Sequence, residues 1–163
     1  FPGLQGGPLM HIIAAKAACF RLAATAEFRD RQSQTIANAA RLAECLQDGG
    51  ISLVSGGTDN HLMLADLTNI GVTGIEAENR LEEVGITVNK NAVPYDKQPP
   101  TVTSGIRLGT PAVTTRGFRE PEMEQVAEII LGALSPQITA DEVKRLRLKT
   151  EELLAGFPLY PHL

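Results

Sequence analysis

The sequence predicts a fold of the α/β or α+β sandwich class, with helices packed on a small sheet. Three observations carry that expectation. Helix-spaced apolar runs are interleaved with short β-branched runs, the connections between them are short, and a 163-residue chain that is 43% apolar can bury one core. Aromatic residues make up 4% and Trp is absent, so that core is expected to be mainly aliphatic.

Taken in order, Pro8 suits the first turn of a helix, where a missing N–H is no loss. The run LMHIIAAKAACFRLAATA is apolar nearly all round and is expected to be buried on most sides. A second helix is expected over residues 27–47, with Ile36, Ala39, Ala40, Ala43 and Leu46 on its inner face. Gly49 and Gly50 should end it. ISLVS and HLMLADL read as a hairpin-like pair joined by the five-residue turn GGTDN.

Thr73 and Glu76 have the spacing of a capping box, opening a helix that runs to about residue 84 and closes at Gly85. ITVNKN reads as a short strand entering an irregular loop with three prolines, Pro94, Pro99 and Pro100. TSGIRLGT is strand-like, and its two glycines mark a close backbone approach or a bulge. Val126, Ile129, Ile130, Ala133 and Leu134 give an amphipathic helix. A last helix begins at the Thr139/Glu142 capping box and ends near Gly156.

The bulk numbers exclude several function classes. A net charge of −4 with no basic run argues against a nucleic-acid surface. The longest apolar stretch, residues 12–26, is interrupted by Lys16 and Arg21, whereas a membrane span needs about 20 predominantly apolar residues. It also lacks the basic start and cleavage site of a secretory signal. Two cysteines, Cys19 and Cys45, form neither a disulfide framework nor a metal cluster, so no metal and a reducing, cytoplasmic location are expected.

Four stretches are richer in glycine and polar residues than a core requires. In residues 3–7, Gly6 and Gly7 precede a helix N-terminus, an arrangement open to two readings: an anion site or a plain turn. In SGGTDNHL, the side chains of Asp59, Asn60 and His61 read as turn formers, because one His and one Asp give no metal-ligand spacing. In NKNAVPYD, Asn91 offers the donors and acceptor that suit a heterocyclic amide edge, while Lys90 reads as a loop lysine rather than a nucleophile. In SGIRLGTPA, Arg107 presents a planar fork suited either to a carboxylate or to a surface salt bridge.

The chain opens on FPGLQGGPLMH without an initiator methionine. Either this is an ordinary flexible terminus or the sequence starts partway through a longer protein. Together with VSGGTDNHL, TVNKNAVPYD and TSGIRLGTPAVTTRGF, the opening stretch resembles the motifs of the serine hydroxymethyltransferases, in the order and spacing of that family. The resemblance spans nearly the whole chain and only the carboxyl-terminal part of the family.

That resemblance implies a fold-type I pyridoxal-phosphate transferase (glycine hydroxymethyltransferase), seen through its small carboxyl-terminal domain with a mixed or antiparallel sheet. Residues 1–24 would be a remnant of the large domain and residues 25–163 the small one. It implies a homodimer in which Gly6 and Gly7 touch the cofactor phosphate of the neighbouring subunit. Arg107 would pair with the carboxylate of serine or glycine, and Asn91, Pro99, Pro100 and Thr101 would line the tetrahydrofolate pocket. The chain departs from many members at Thr101, where an aromatic commonly stands. The family's Schiff-base lysine lies in motifs that are not among these 163 residues, so no catalytic residue is expected here and the chain alone is expected to be inactive. The competing expectation is an autonomous, non-catalytic module that binds amino acids or regulates a partner.

Overall fold

The computed structural model describes residues 1–159, which fall into two compact units: residues 1–33, and the chain from residue 34 onward. The first unit holds an irregular segment, helix α1 (Met10–Ala23) and the opening turns of helix α2 (Ala26–Asp48). Thr25 links the two helices. Its hydroxyl donates to the Leu22 carbonyl at 2.7 Å and accepts from the Phe28 N–H at 3.2 Å, stopping one helix and capping the next. Leu9 is the N-cap of α1, so Pro8 stands just outside the first turn rather than in it. None of its residues is buried, contrary to the expectation drawn from its composition; Phe20 is 70% exposed and Met10 66%.

From residue 34 on, the chain builds strands β1 (Ser52–Leu53), β2 (Leu62–Asp66), β3 (Asn89–Asn91) and β4 (Gly105–Gly109), with helices α3 (Gly74–Glu83), α4 (Pro111–Arg116), α5 (Glu120–Ala133) and α6 (Ala140–Ala155). The sheet runs β1-β2-β4-β3 and every pair is antiparallel. The core lies between one sheet face and helices α2, α3, α5 and α6: Met63, Ala65, Ile106 and Leu108 from the strands meet Leu46, Leu81, Ile129, Ile130 and Leu146 from the helices. As expected it is aliphatic, with Phe118 as its one fully buried aromatic among the described residues.

Local signals acted where they were read. Both capping boxes are formed, at Thr73/Glu76 and Thr139/Glu142. Helix α2 ends in a Schellman turn: Ile51 N–H donates to the Leu46 carbonyl at 2.9 Å, and Gly50 takes the left-handed φ of 88° that the turn demands. The β1–β2 pair exists, but β1 is only two residues long. Its connection is therefore residues 54–61, longer than the five expected, and includes a single 3-10 turn at Val54–Gly56.

The inner stripe of α2 differs from the expectation. It comprises Thr35, Asn38, Ala39, Leu42, Ala43 and Leu46, while Ile36 and Ala40 are exposed. Two polar residues stand in the stripe instead of Ile36, and the segment from Thr110 to Phe118, which contains α4, bonds the Asn38 side chain and the Thr35 backbone. Asn38 donates to Thr114 Oγ1 at 2.9 Å and to the Phe118 carbonyl at 2.8 Å; Thr110 Oγ1 donates to the Thr35 carbonyl at 2.8 Å. With its bonds made, a buried amide costs little.

Replacing Asn38 with Ala withdraws both donors, and the protein should lose roughly 1–3 kcal/mol of stability. Urea unfolding of Asn38→Ala beside Ile36→Ala tests this. The second, on an exposed face, should shift stability by less than about 0.5 kcal/mol. Equal midpoints for the two variants would contradict the arrangement.

Candidate functional site

Strand β4 sits inside the sheet, between β2 and β3. Ile106 and Leu108 point into the core, so alternation sends Arg107 to the opposite face, where it is exposed. Its register partners there are Leu64 on β2 and Asn89 on β3. Among the described residues the guanidinium has no hydrogen bond or ion pair. Of the two readings open from sequence, the surface salt bridge is therefore not formed. Gly105 is the close approach anticipated for this strand. A Cβ there would stand 2.5 Å from the Ala65 carbonyl oxygen and 2.7 Å from Val93 Cγ1. The ladder with β2 continues through it without a bulge.

Asn91 ends β3 opposite Gly105, on the same face as Arg107 and diagonal to it. Such neighbours lie about 7–8 Å apart across a ladder. Its side-chain amide donates to the Ala92 carbonyl at 2.8 Å. Lys90, on the other face, is tied to α3: Glu78 accepts both its backbone N–H at 3.1 Å and its ammonium at 3.2 Å. The same two bonds, the backbone one first, lower the Glu78 pKa. Lys90 is thus a half-buried strand-to-helix tether rather than the loop lysine expected.

Between β3 and β4 runs a loop, residues 92–104, organised on one carboxylate. Asp96 accepts from Ser104 Oγ at 2.6 Å, Ser104 N–H at 2.9 Å, Gln98 N–H at 2.9 Å and Val93 N–H at 3.1 Å. These donors, the Ser104 hydroxyl foremost, hold its pKa down to about 2. The far side of the loop is pinned to α3, whose Gly74 and Ile75 N–H groups donate to the Thr103 and Val102 carbonyls at 2.9 and 3.0 Å. A Cβ at Gly74 would overlap Thr103 Oγ1, so glycine is required there. Between the two anchorages Pro99, Pro100 and Thr101 form an exposed tip, turned by Val102 and Thr103 N–H groups donating to the Pro99 carbonyl.

The structure thus brings Arg107, Asn91 and the Pro99, Pro100, Thr101 tip onto one sheet and its edge loop. Gly6 and Gly7 belong to the first unit. Neither has a left-handed φ, and a Cβ on either would meet nothing within 4 Å. The helix N-terminus after them has no side-chain cap and no acidic residue in its first turn. An anion would be compatible with that end of α1.

Turn formation accounts for SGGTDNHL. Asn60 Oδ1 accepts from Leu62 N–H at 3.0 Å, Thr58 Oγ1 donates to the Leu62 carbonyl at 2.6 Å, and His61 contributes its carbonyl to Thr110 N–H at 3.1 Å. Sequence reasoning missed Asp96, Asn38 and helix α4. For α4 the signal was present: Pro111 in the first turn and Gly117 at the C-cap, with φ 108°. An apolar cleft of about 400 Å³ is lined by Leu42, Leu108, Val113, Met123 and Leu153. Among the described residues the charged group in its lining is Arg116, which spends its guanidinium on the Phe157 and Leu154 carbonyls.

The sequence model of the serine hydroxymethyltransferases matches residues 1–130. Curated relatives named serine hydroxymethyltransferase match throughout the chain. That of Methanospirillum hungatei is 53% identical over all of this chain and 39% of its own length. Those of Desulforapulum autotrophicum and Koribacter versatilis are 58% and 53% identical, over 98% and 99% of this chain and 38% of each relative. The chain therefore spans less than two fifths of the length of these relatives.

The Asp96 cluster gives a pH dependence of definite sign. Because the folded carboxyl titrates near 2 against an ordinary 3.8, its contribution is fully present above pH 3.8 and is lost as pH falls towards 2. Hydrogen-exchange protection factors of the Val93, Gln98 and Ser104 amides should fall across that window. Unchanged protection at pH 2 would show that the loop does not depend on the ionised form.

Proposed function

The chain belongs to the serine hydroxymethyltransferase family, and on that premise we propose that it forms the carboxyl-terminal part of an enzyme interconverting serine and tetrahydrofolate with glycine and 5,10-methylenetetrahydrofolate. The observation that carries this reading is Arg107: an exposed guanidinium without a partner among the described residues, on the same sheet face as Asn91.

In this reading Arg107 grips the substrate carboxylate with two parallel N–H bonds, which fixes both position and rotation of the amino acid. Residues Asn91, Pro99, Pro100 and Thr101 line the folate side, with Thr101 offering a hydroxyl and methyl where many members place a ring. The uncrowded backbone of Gly6 and Gly7, with the free N-terminal end of α1, fits a phosphate group and would hold that of the neighbouring subunit's cofactor. Pyridoxal phosphate, when bound, supplies the ring that takes up the electron pair released at the substrate Cα. Arg107 then keeps the scissile bond oriented while the Cα changes geometry. No catalytic residue is assigned within these 163 positions.

The remaining parts of the reading are a large-domain remnant over residues 1–24, a small domain over 25–163, a homodimeric parent and a cytoplasmic location. Among the described residues no helix is long and apolar enough to cross a membrane. The exposed apolar side chains of α1, Met10, Ile12, Ile13, Phe20 and Leu22 among them, favour this reading over a self-sufficient module.

Two measurements test it. In a full-length enzyme carrying this chain, Arg107→Ala should weaken serine binding by roughly 1.5–3 kcal/mol while pyridoxal phosphate stays bound. An unchanged serine affinity removes Arg107 from its role. The 163-residue chain mixed with pyridoxal phosphate, serine and tetrahydrofolate should release no glycine, and measurable turnover would overturn the expectation of inactivity.

A further inference from the structure

The loop between β3 and β4 carries three of the residues assigned to the folate side, yet has no regular secondary structure of its own. The N-terminus of α3 holds it on one side, and a single side chain organises it on the other. Asp96 reaches forward and back along the chain, to Val93 at the loop's entry, Gln98 before the tip and Ser104 at the start of β4. Four donors on two carboxylate oxygens close the segment into a ring that ends three residues before Arg107. Charge is needed for this. An ionised carboxylate is acceptor-only and accepts from all four donors, whereas the neutral amide of asparagine keeps one acceptor oxygen.

Among the described residues Asp96 makes no hydrogen bond to Asn91 or the tip, and no ion pair holds it. Its effect is transmitted through the backbone. With Asp96 on one side and the N-terminus of α3 on the other, Pro99, Pro100 and Thr101 are held at a set distance from β4. A loop left to fluctuate would have to be ordered at each binding event, at a cost in affinity. Serine bound through Arg107 would not bear that cost, because β4 is held by its own ladder with β2.

We propose that Asp96 is a positioning residue for the folate co-substrate: it sets the loop against β4, so that folate affinity depends on it and amino-acid affinity does not. The inference rests on the preceding reading of the loop as the folate side of the site.

The test uses a full-length enzyme carrying this chain, with three variants: Asp96→Asn, Ser104→Ala and Asn91→Ala. Asp96→Asn should raise the KM for tetrahydrofolate about tenfold and leave the Kd for serine, measured without folate, within twofold. Ser104→Ala removes one of the four donors and should give a smaller rise, about threefold; it also carries the test if Asp96→Asn does not fold. Exchange protection of the Val93, Gln98 and Ser104 amides should drop in Asp96→Asn while that of the β2–β4 ladder persists. Serine and folate constants worsening together, or an unchanged folate KM beside a folate defect in Asn91→Ala, would overturn the role of Asp96 alone. Unchanged folate constants in all three variants would remove the loop from the folate side altogether, and the inference with it.

Discussion

The register of β4 is the constraint from which the rest follows. Ile106 and Leu108 are fully or almost fully buried against the helices, and strict alternation leaves Arg107 no other face. A slip of one residue would drive the guanidinium into an aliphatic core without a counter-ion, at a desolvation cost of several kcal/mol. The same slip would bring side chains into the space that Gly105 leaves for the Ala65 carbonyl and Val93. Apolar burial on one side therefore fixes the polar chemistry on the other.

Pairing on both edges holds β4 along its length. At its C-terminal end Thr110 adds a bond through its N–H to the His61 carbonyl and through its hydroxyl to the Thr35 carbonyl of α2. The two bonds from Ser104 to Asp96 lie before the strand and fix the loop rather than the ladder. A strand held in this way is a rigid support for the side chain of Arg107. The buried Asn38 belongs to the same arrangement, since it anchors α4, the helix that continues directly from the strand.

The first unit follows a different logic. Glycines at positions 6 and 7 are demanded neither by φ nor by crowding within the described chain, and α1 presents an apolar surface with no buried residue. The proposed reading of residues 1–24 as a large-domain remnant beside a dimer partner would give both features a use.

What the amino-acid sequence determined by itself was local or whole-family in character. The two capping boxes, the Gly50 terminus of α2, the strand character of GIRLG and the turn role of Asn60 each depend on residues within a few positions of one another. The family was legible because four motifs stood in order. Only the tertiary structure decided which face Arg107 occupies, why Asn38 rather than Ile36 is buried, and that Asp96 gathers the ends of its loop. The reason is physical. Asn38 meets partners 76 and 80 positions away, and the face taken by Arg107 depends on helices from distant parts of the chain packing over Ile106 and Leu108. Asp96 is a shorter-range case, but its bonds still join Val93 at the loop's entry to Ser104 eight residues further on, an approach that neither periodicity nor a cap encodes. Periodicity and caps carry no record of such encounters, because the free energy that selects them comes from burial and hydrogen bonding between segments that local patterning treats as independent.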